Sequence, residues 1–401
     1  MKPIEMKPGI YWVGGIDWDL RNFHGYLTQL GSTYNAYLIV DEKITVVDTV
    51  KHYLFDEMMA RIKQIVDPEK IDYIISNHVE MDHSGSLLKL KEAAPNAEII
   101  SSPFGKRGLL SHFDIKDEIR TVKEGDRISI GKRTLSFHPI SMVHWPDSMM
   151  TYCPEEKLLL PNDAFGQHIA SNERFVDELG FEPVYTEAAK YYANIVFPFG
   201  QQVRKALEIA SKLETNMIGP SHGLIWRGED ICRIVQAYAK WANYESENKA
   251  VIVYDTMWES THKMAYALME GFEEAGLKVV IRNLQTNHIS DIITDILTAR
   301  AVCLGSPTLN CTILPTMGGF LSYLKGLSPQ KKIGFAFGSY GWGGQGAKEL
   351  HQFVKDMNWE TPFEPVNVQY IPKPEHLAQM KQTGMKLAEI IVEQNAAKAA
   401  V

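Results

Sequence analysis

Residues 71–86 read IDYIISNHVEMDHSGS, an apolar run that ends in four potential metal ligands within six positions. The run Ile71–Ser76, rich in β-branched and aromatic side chains, has the length of a buried strand. His78 follows directly at its carboxyl end, and SGS (84–86) with LLKLKEA (87–93) opens a helix. Strand-to-helix loops of this kind are where α/β proteins usually place their sites. On such a loop His78 and Glu80 can point one way and Asp82 and His83 another, which suits two adjacent metal ions. The ordinary alternative is a solvated turn with Asp82 or Ser84 as helix N-cap. A lone histidine would favour that alternative; His-x-Glu-x-Asp-His does not.

Around this motif the first half of the chain mixes short strands with turns. AYLIV (36–40) and ITVVDT (44–49) flank Asp41-Glu42-Lys43 as a hairpin, and 127–140 reads as two alternating strands around Gly131-Lys132. Helical patterns follow at about 53–66, 84–94, 201–213 and 229–244. Strands grouped without strict alternation with helices predict a layered αββα sandwich. YESENKA (244–250) is a polar pause, and beyond it the alternation becomes regular. Strands at 250–255, 278–283, 301–306, 332–338 and 367–371 precede helices at 261–275, 289–299, 315–325, 345–357 and 374–396. Five βα units predict a doubly wound parallel sheet. The expected domains are 1–248 and 249–401.

Composition narrows the class. The 401 residues are 45% apolar and 22% charged, as in an ordinary globular protein. The net charge is −8 with no basic block, so nucleic acid is not expected as a partner. No apolar run reaches membrane length, and MKPIEMKPGIYWVGG lacks the features of a signal peptide, so a cytoplasmic location without a membrane partner is expected. Cys153, Cys232, Cys303 and Cys311 form no C-x-x-C pair, which argues against an iron–sulfur cluster, a rubredoxin-type site or a disulfide framework in this chain. All four read as small core residues.

Three further metal candidates lie at strand ends or turns: His144 in MVHWPDS, Asp163 in LLLPNDAFG and His222 in MIGPSHGLIW. Taken singly, each has a commoner alternative: a core histidine, a turn or helix cap, and a turn residue. The added carboxylates favour harder, higher-coordinate ions such as iron or manganese over tetrahedral zinc, although affinity order alone would still admit zinc.

The order His-x-Glu-x-Asp-His, His, Asp, His resembles the metallo-β-lactamase fold. With glutamate in the second slot and a flavodoxin-like domain following, the chain resembles the flavodiiron proteins. DWDLRNFHGY, STYNAYL, HWPDSM, LPNDAFGQHIA, KYYANI and PSHGLIWR are also similar to that family, and the likeness spans essentially the whole chain. The resemblance implies that His78, Glu80 and His144 bind one iron, Asp82 and His222 the second, and that Asp163 bridges. His83 matches a position that ligates iron in some members only. His24 and Tyr191 match positions lining the diiron pocket; a loop histidine and a buried helical tyrosine are the plain alternatives.

The second domain opens with YDTMWESTHKMA (254–265), which resembles the flavodoxin phosphate loop for FMN but carries Trp258 and Glu259 where threonine and glycine are usual. Hydroxyls and free N–H groups at a helix N-terminus form an anion site. GSPTLN (305–310) and GSYGWGG (338–344) follow the third and fourth strands, beside the expected strand-order reversal. Glycines there allow close approach, and Tyr340 and Trp342 offer faces to an isoalloxazine ring. The expected flavin contacts are Thr256, Met257, Trp258, Ser260, Thr261, Ser306, Pro307, Thr308, Asn310, Ser339, Tyr340, Gly341, Trp342 and Gly343. No strand is followed by G-x-G-x-x-G, so FMN is favoured over FAD or NAD.

The resemblance implies an FMN- and diiron-dependent oxidoreductase. It would reduce dioxygen to water, nitric oxide to nitrous oxide, or both, with electrons from rubredoxin, another small redox donor or a flavin-reducing coenzyme. A head-to-tail homodimer, or a dimer of such dimers, would bring the FMN of one subunit beside the irons of the other. Two rivals share parts of the pattern: a zinc hydrolase with a flavodoxin-like appendage, and a flavin electron carrier with a structural metal site.

Overall fold

Apolar alternation on a pleated strand explains the first layers. The computed structural model describes residues 2–399. In Tyr37–Ile39 every side chain is buried, and in Ile71–Ser76 the last three are, so these strands are covered on both faces. Tyr37, Ile39, Val47, Ile75 and Ile100 turn to one face and meet Leu135, Phe137, Met149, Leu158 and Leu160 of a second sheet. Leu38, Val46, Ile74 and Ile99 turn to the other face and pack on Met58, Ile62, Leu87, Leu90 and Leu109 of helices. Successive residues serving opposite faces is the period-2 rule. The first sheet runs Ile4–Lys7, Ile10–Trp12, Tyr37–Ile39, Ile44–Val47, Ile71–Ser76, Glu98–Ser101, Ile119–Thr121; the second runs Arg127–Ser129, Thr134–Pro139, Met149–Cys153, Leu158–Leu160, Met217–Ile218, Trp226–Arg227. This is the expected αββα sandwich.

The second unit carries five parallel strands in the order Lys278–Asn283, Glu247–Tyr254, Ala299–Gly305, Ile333–Tyr340, Val366–Gln369. In sequence order that is 2-1-3-4-5, with the reversal between the first and third strands. All five expected helices are present, from Ser260–Glu274 to Pro374–Ala399.

The two compact units differ from the expected domains in two places. One consists of the chain to Tyr192 with Phe199–Asn243; the other of Ala193–Pro198 and the chain from Tyr244. The strand Glu247–Tyr254 therefore spans the expected boundary. The excursion of 193–198 has local causes: Asn194 donates to the Ser290 carbonyl (3.1 Å), Tyr323 donates to Asn194 Oδ1 (2.7 Å), and Tyr244 to the Phe197 carbonyl (3.3 Å). None of these partners is near in sequence. The helix Pro103–His112, capped by Ser102 Oγ accepting from Gly105 N–H at 2.9 Å, was also not expected. Two cysteines depart from the core reading. Cys153 and Cys303 are buried, but Cys232 lies on the solvent side of the helix Asp230–Ala242 and Cys311 in an exposed loop. Among the described residues no helix is long and apolar enough to cross a membrane.

A buried cation closes one helix end in the second unit. Lys332 is 1% exposed, and its Nζ donates to the carbonyls of Ile296 (2.9 Å), Leu297 (3.2 Å) and Ala299 (2.6 Å) at the end of the helix Ile289–Thr298. A cation there complements the helix dipole. Lys332→Met keeps the stem and strips three carbonyls of this donor. It is expected to destabilise the protein by about 3 kcal/mol, read as a lowered urea midpoint.

Candidate metal centre and flavin cleft

Long-range hydrogen bonds aim the loop after Ile71–Ser76. Asn77 donates its N–H (2.7 Å) and Nδ2–H (3.2 Å) to Asp48 and accepts from Thr151 Oγ1 (2.7 Å). Asp147, buried, accepts from the Val79 N–H at 2.8 Å and from His78 Nδ1 at 2.9 Å. A carboxylate on Nδ1 fixes the tautomer and leaves Nε2 of His78 as the free lone pair, the usual support of a ligating histidine. His222 is set the same way, Nδ1 donating to the Thr33 carbonyl at 2.8 Å. Gly223 beside it has φ +78°, and a Cβ there would meet Gln167 Oε1 at 1.6 Å, so only glycine fits.

The seven expected ligands converge in two groups: His78, Glu80, His144 and Asp163, and Asp82, His83 and His222. Asp163 faces both. Its Oδ2 lies 3.5 Å from His78 Nε2 and 3.2 Å from His144 Nε2, and its Oδ1 lies 3.0 Å from His83 Nε2 and 3.4 Å from His222 Nε2. Glu80 Oε2 is 3.3 Å from His78 and 3.2 Å from His144; Asp82 Oδ2 is 3.4 Å from His83 and 3.3 Å from His222. His83, which the resemblance left open, stands within the second group.

Buried polar atoms in folded proteins are almost always hydrogen-bonded. Here His78 Nε2 and both oxygens of Asp82 and of Asp163 are buried without a hydrogen-bond partner, as are both nitrogens of His83. With Glu80, His144 and His222 facing them, these unpaired atoms belong to a set of three carboxylates and four imidazoles that fits two cations of oxygen- and nitrogen-ligand preference.

The electrostatics agree. Burial alone would lower the histidines, but Asp147 and Glu80 raise His78 to about 10, Asp163 and Glu80 raise His144 to about 10, and Asp82 and Asp163 raise His83 to about 9. Burial opposes ionisation of Asp163 and Asp82, yet the surrounding histidines hold both carboxyls below their ordinary values. In the metal-free protein, protons occupy the place of cations. Folded values above the ordinary 6.5 contribute stability that is fully present below pH 6.5 and lost as pH rises through 9 to 10. The depressed carboxylates contribute above their ordinary range and lose it in acid. Metal-free protein should therefore show urea midpoints that decline steadily from pH 6.5 to 10, a decline that restored metal removes by displacing the protons.

His24 occupies a two-residue turn between Phe23 and Tyr26, with φ +53° at His24 and +81° at Gly25. That is hairpin geometry with both central residues left-handed. The turn puts His24 Nε2 2.7 Å from Glu80 Oε1 while the side chain stays 65% exposed. The hydrogen bond to Glu80 raises its pKa. Tyr191, buried at the end of Phe181–Tyr191, has its ring 5.8 Å from that of His222, and burial holds its phenol well above 10.

Two residues near the ligands escaped the sequence reading. Asp147 sits in HWPDSM, where only its distant partner His78 reveals it. His168, in GQHIA, is fully buried with Nδ1 2.7 Å from Ser32 Oγ and its ring 4.7 Å from that of His222. Burial holds its pKa well below the ordinary histidine value.

In the second unit a cleft of about 850 Å³ opens at the carboxyl ends of the strands. That size suits a cofactor. Of the expected contacts, Met257, Trp258, Ser260, Pro307, Thr308, Asn310, Ser339, Tyr340, Gly341, Trp342 and Gly343 line it, joined by Leu309, Cys311, Tyr370 and Ile371, which were not expected. Thr261 and Ser306 are fully buried behind this wall: Thr261 Oγ1 bonds Ser339 Oγ at 3.0 Å, and Ser306 Oγ accepts from Leu314 N–H at 3.1 Å. Thr256 is likewise outside the lining, yet its buried Oγ1 has no hydrogen-bond partner. An unpaired hydroxyl before the helix N-terminus fits an anionic group there.

Comparison with known proteins places these features. Residues 33–223 match the family described as ODP family beta lactamase, and residues 252–384 match flavodoxin. The chain is 47% identical to a nitric oxide reductase of Moorella thermoacetica, covering 98% of this chain and 100% of that one. It is 43% identical to a rubredoxin-oxygen oxidoreductase of Megalodesulfovibrio gigas over 98% of each. The crystal structure of the flavodiiron protein from Giardia intestinalis superposes with a TM-score of 0.96 at 35% identity, over 98% of each chain.

Proposed function

Because this chain belongs to the flavodiiron proteins, an oxidoreductase family with FMN and a diiron site, we propose that it reduces dioxygen, nitric oxide or both at the Glu80–Asp163 centre. His78, Glu80 and His144 would hold one iron and Asp82, His83 and His222 the other, with Asp163 facing both groups. The observation that carries this reading is Asp163, whose two oxygens face the two histidine groups separately. The iron pair supplies a binding place and electrons for a diatomic gas, and FMN supplies two electrons more.

This chain's residues do the rest. Asp147 and the Thr33 carbonyl hold His78 and His222 with Nε2 turned inward. His24 holds a proton 2.7 Å from Glu80 Oε1 and, being exposed, can exchange it with solvent in a reaction that consumes protons. Burial of the other ligands limits water access. The diiron chemistry belongs to the first unit and flavin binding to the second. The electron donor is rubredoxin or a similar small redox protein, and the assembly is a head-to-tail homodimer or a dimer of dimers. The rim of the flavin cleft supports a covering partner: Trp258 is 88% and Trp342 93% exposed, with Tyr370 and Ile371 beside them. A cytoplasmic location, consistent with four free cysteines, belongs to the same proposal.

The test is Glu80→His, which gives the second slot the residue a hydrolytic zinc site would carry. Iron retention and gas consumption should fall by roughly tenfold or more, with FMN bound and the fold intact. Full iron content and activity would defeat the argument from the carboxylate.

A further inference from the structure

An apolar cavity is lined in part by the chain neighbours of two of the metal-group residues. It is lined by Val143 and Ala164, the chain neighbours of His144 and Asp163, and by Phe165, Met150, Val203 and Tyr238, with Ala206, Leu207 and Ala210 completing the wall. Among the described residues none turns a polar atom into it, and the space is small, only a little wider than a single water molecule. The Tyr238 hydroxyl is committed as acceptor to the Phe165 N–H at 2.7 Å.

The sequence explains the gap. On the helix Gly200–Ala210, positions 203, 206, 207 and 210 share one face at helical spacing. Alanine at two of them leaves unfilled the volume that larger side chains would occupy. Val203 is fully buried, whereas Leu207 and Ala210 are half-buried, so the cavity runs from near the surface toward Val143 and Ala164. A space this small and apolar offers water none of the partners it needs and stays dry, yet accepts small apolar gases.

Building on the gas-reductase reading, we infer that this cavity is a docking site for the diatomic substrate, a dry anteroom through which nitric oxide or dioxygen reaches the metal centre. Both gases are small, uncharged and weakly hydrated, so an apolar pocket concentrates them where a charged mouth would not. The site selects by size and polarity, and excludes ions and water from that approach.

Xenon is the probe. Crystals of the metal-free protein pressurised with xenon should show it between Val203, Ala206 and Val143. Ala206→Leu should abolish that occupancy, and Leu207→Ala, which enlarges the cavity, should increase it. In the iron- and FMN-loaded protein Ala206→Leu should raise KM for the gas about fivefold or more, with kcat at saturating gas within about twofold. Ala210→Leu, at the half-buried end, provides the same test if Ala206→Leu folds poorly. No xenon in the unmodified protein, or an unchanged KM in a folded, filled variant, would overturn the proposal. Xenon binding by a loaded protein that consumes neither gas would overturn the reductase reading while upholding the apolar gas site.

Discussion

Asp163→Asn is expected to lower gas consumption by at least about 10³-fold while FMN binding and the second unit's stability stay unchanged. Supporting residues of metal sites typically cost 10–100-fold when removed, and a carboxylate shared by two cations should cost more. The amide has nearly the carboxylate's shape, so packing around a residue 1% exposed is preserved. What disappears is the negative charge that faces His78 and His144 through one oxygen and His83 and His222 through the other. Iron analysis should show loss at both positions. Retention of two irons would mean that Asp163 does not join the groups.

Asp147→Ala tests the layer behind the ligands. Removing this carboxylate frees His78 Nδ1 and the Val79 N–H from their shared acceptor, so the imidazole can turn or take the wrong tautomer. Iron affinity should fall by about 10–100-fold. Asp147→Asn, whose amide oxygen can still accept from His78, should recover part of it. A merely structural role would give equal unfolding midpoints for the two variants and no difference in iron affinity between them.

The elements legible from sequence were those whose signal is local. Ile71–Ser76 and the five βα units follow from runs of apolar residues punctuated by turns, and their observed limits differ by only a few residues. The metal motif was legible because its ligands cluster at 78–83 and the remaining three sit in strand-end turns. What escaped depends on distant partners. Asp147 acquires meaning only when the strand Met149–Cys153 brings it against His78. The same holds for His168, whose partner Ser32 lies 136 residues away. Nothing local in 193–198 marks its departure from the first unit, and only Ser290, Tyr323 and Tyr244 draw it into the second. Cys232 and Cys311 lie outside the core because burial of an isolated cysteine depends on which face of a helix or loop it meets. Thr261 and Ser306 lie in the right loops, but their hydroxyls stabilise the flavin cleft's wall from behind.

Glu80 separates the diiron reading from its rivals. A zinc hydrolase would carry histidine in that slot, and an electron carrier would have no need of His24 hydrogen-bonded to the glutamate at 2.7 Å. The most direct measurement is metal and flavin analysis of anaerobically purified protein, paired with gas uptake by the same sample after reduction. Two irons and one FMN per chain, with rapid consumption of nitric oxide or dioxygen, is the predicted result. Zinc in both positions with neither gas consumed would contradict it.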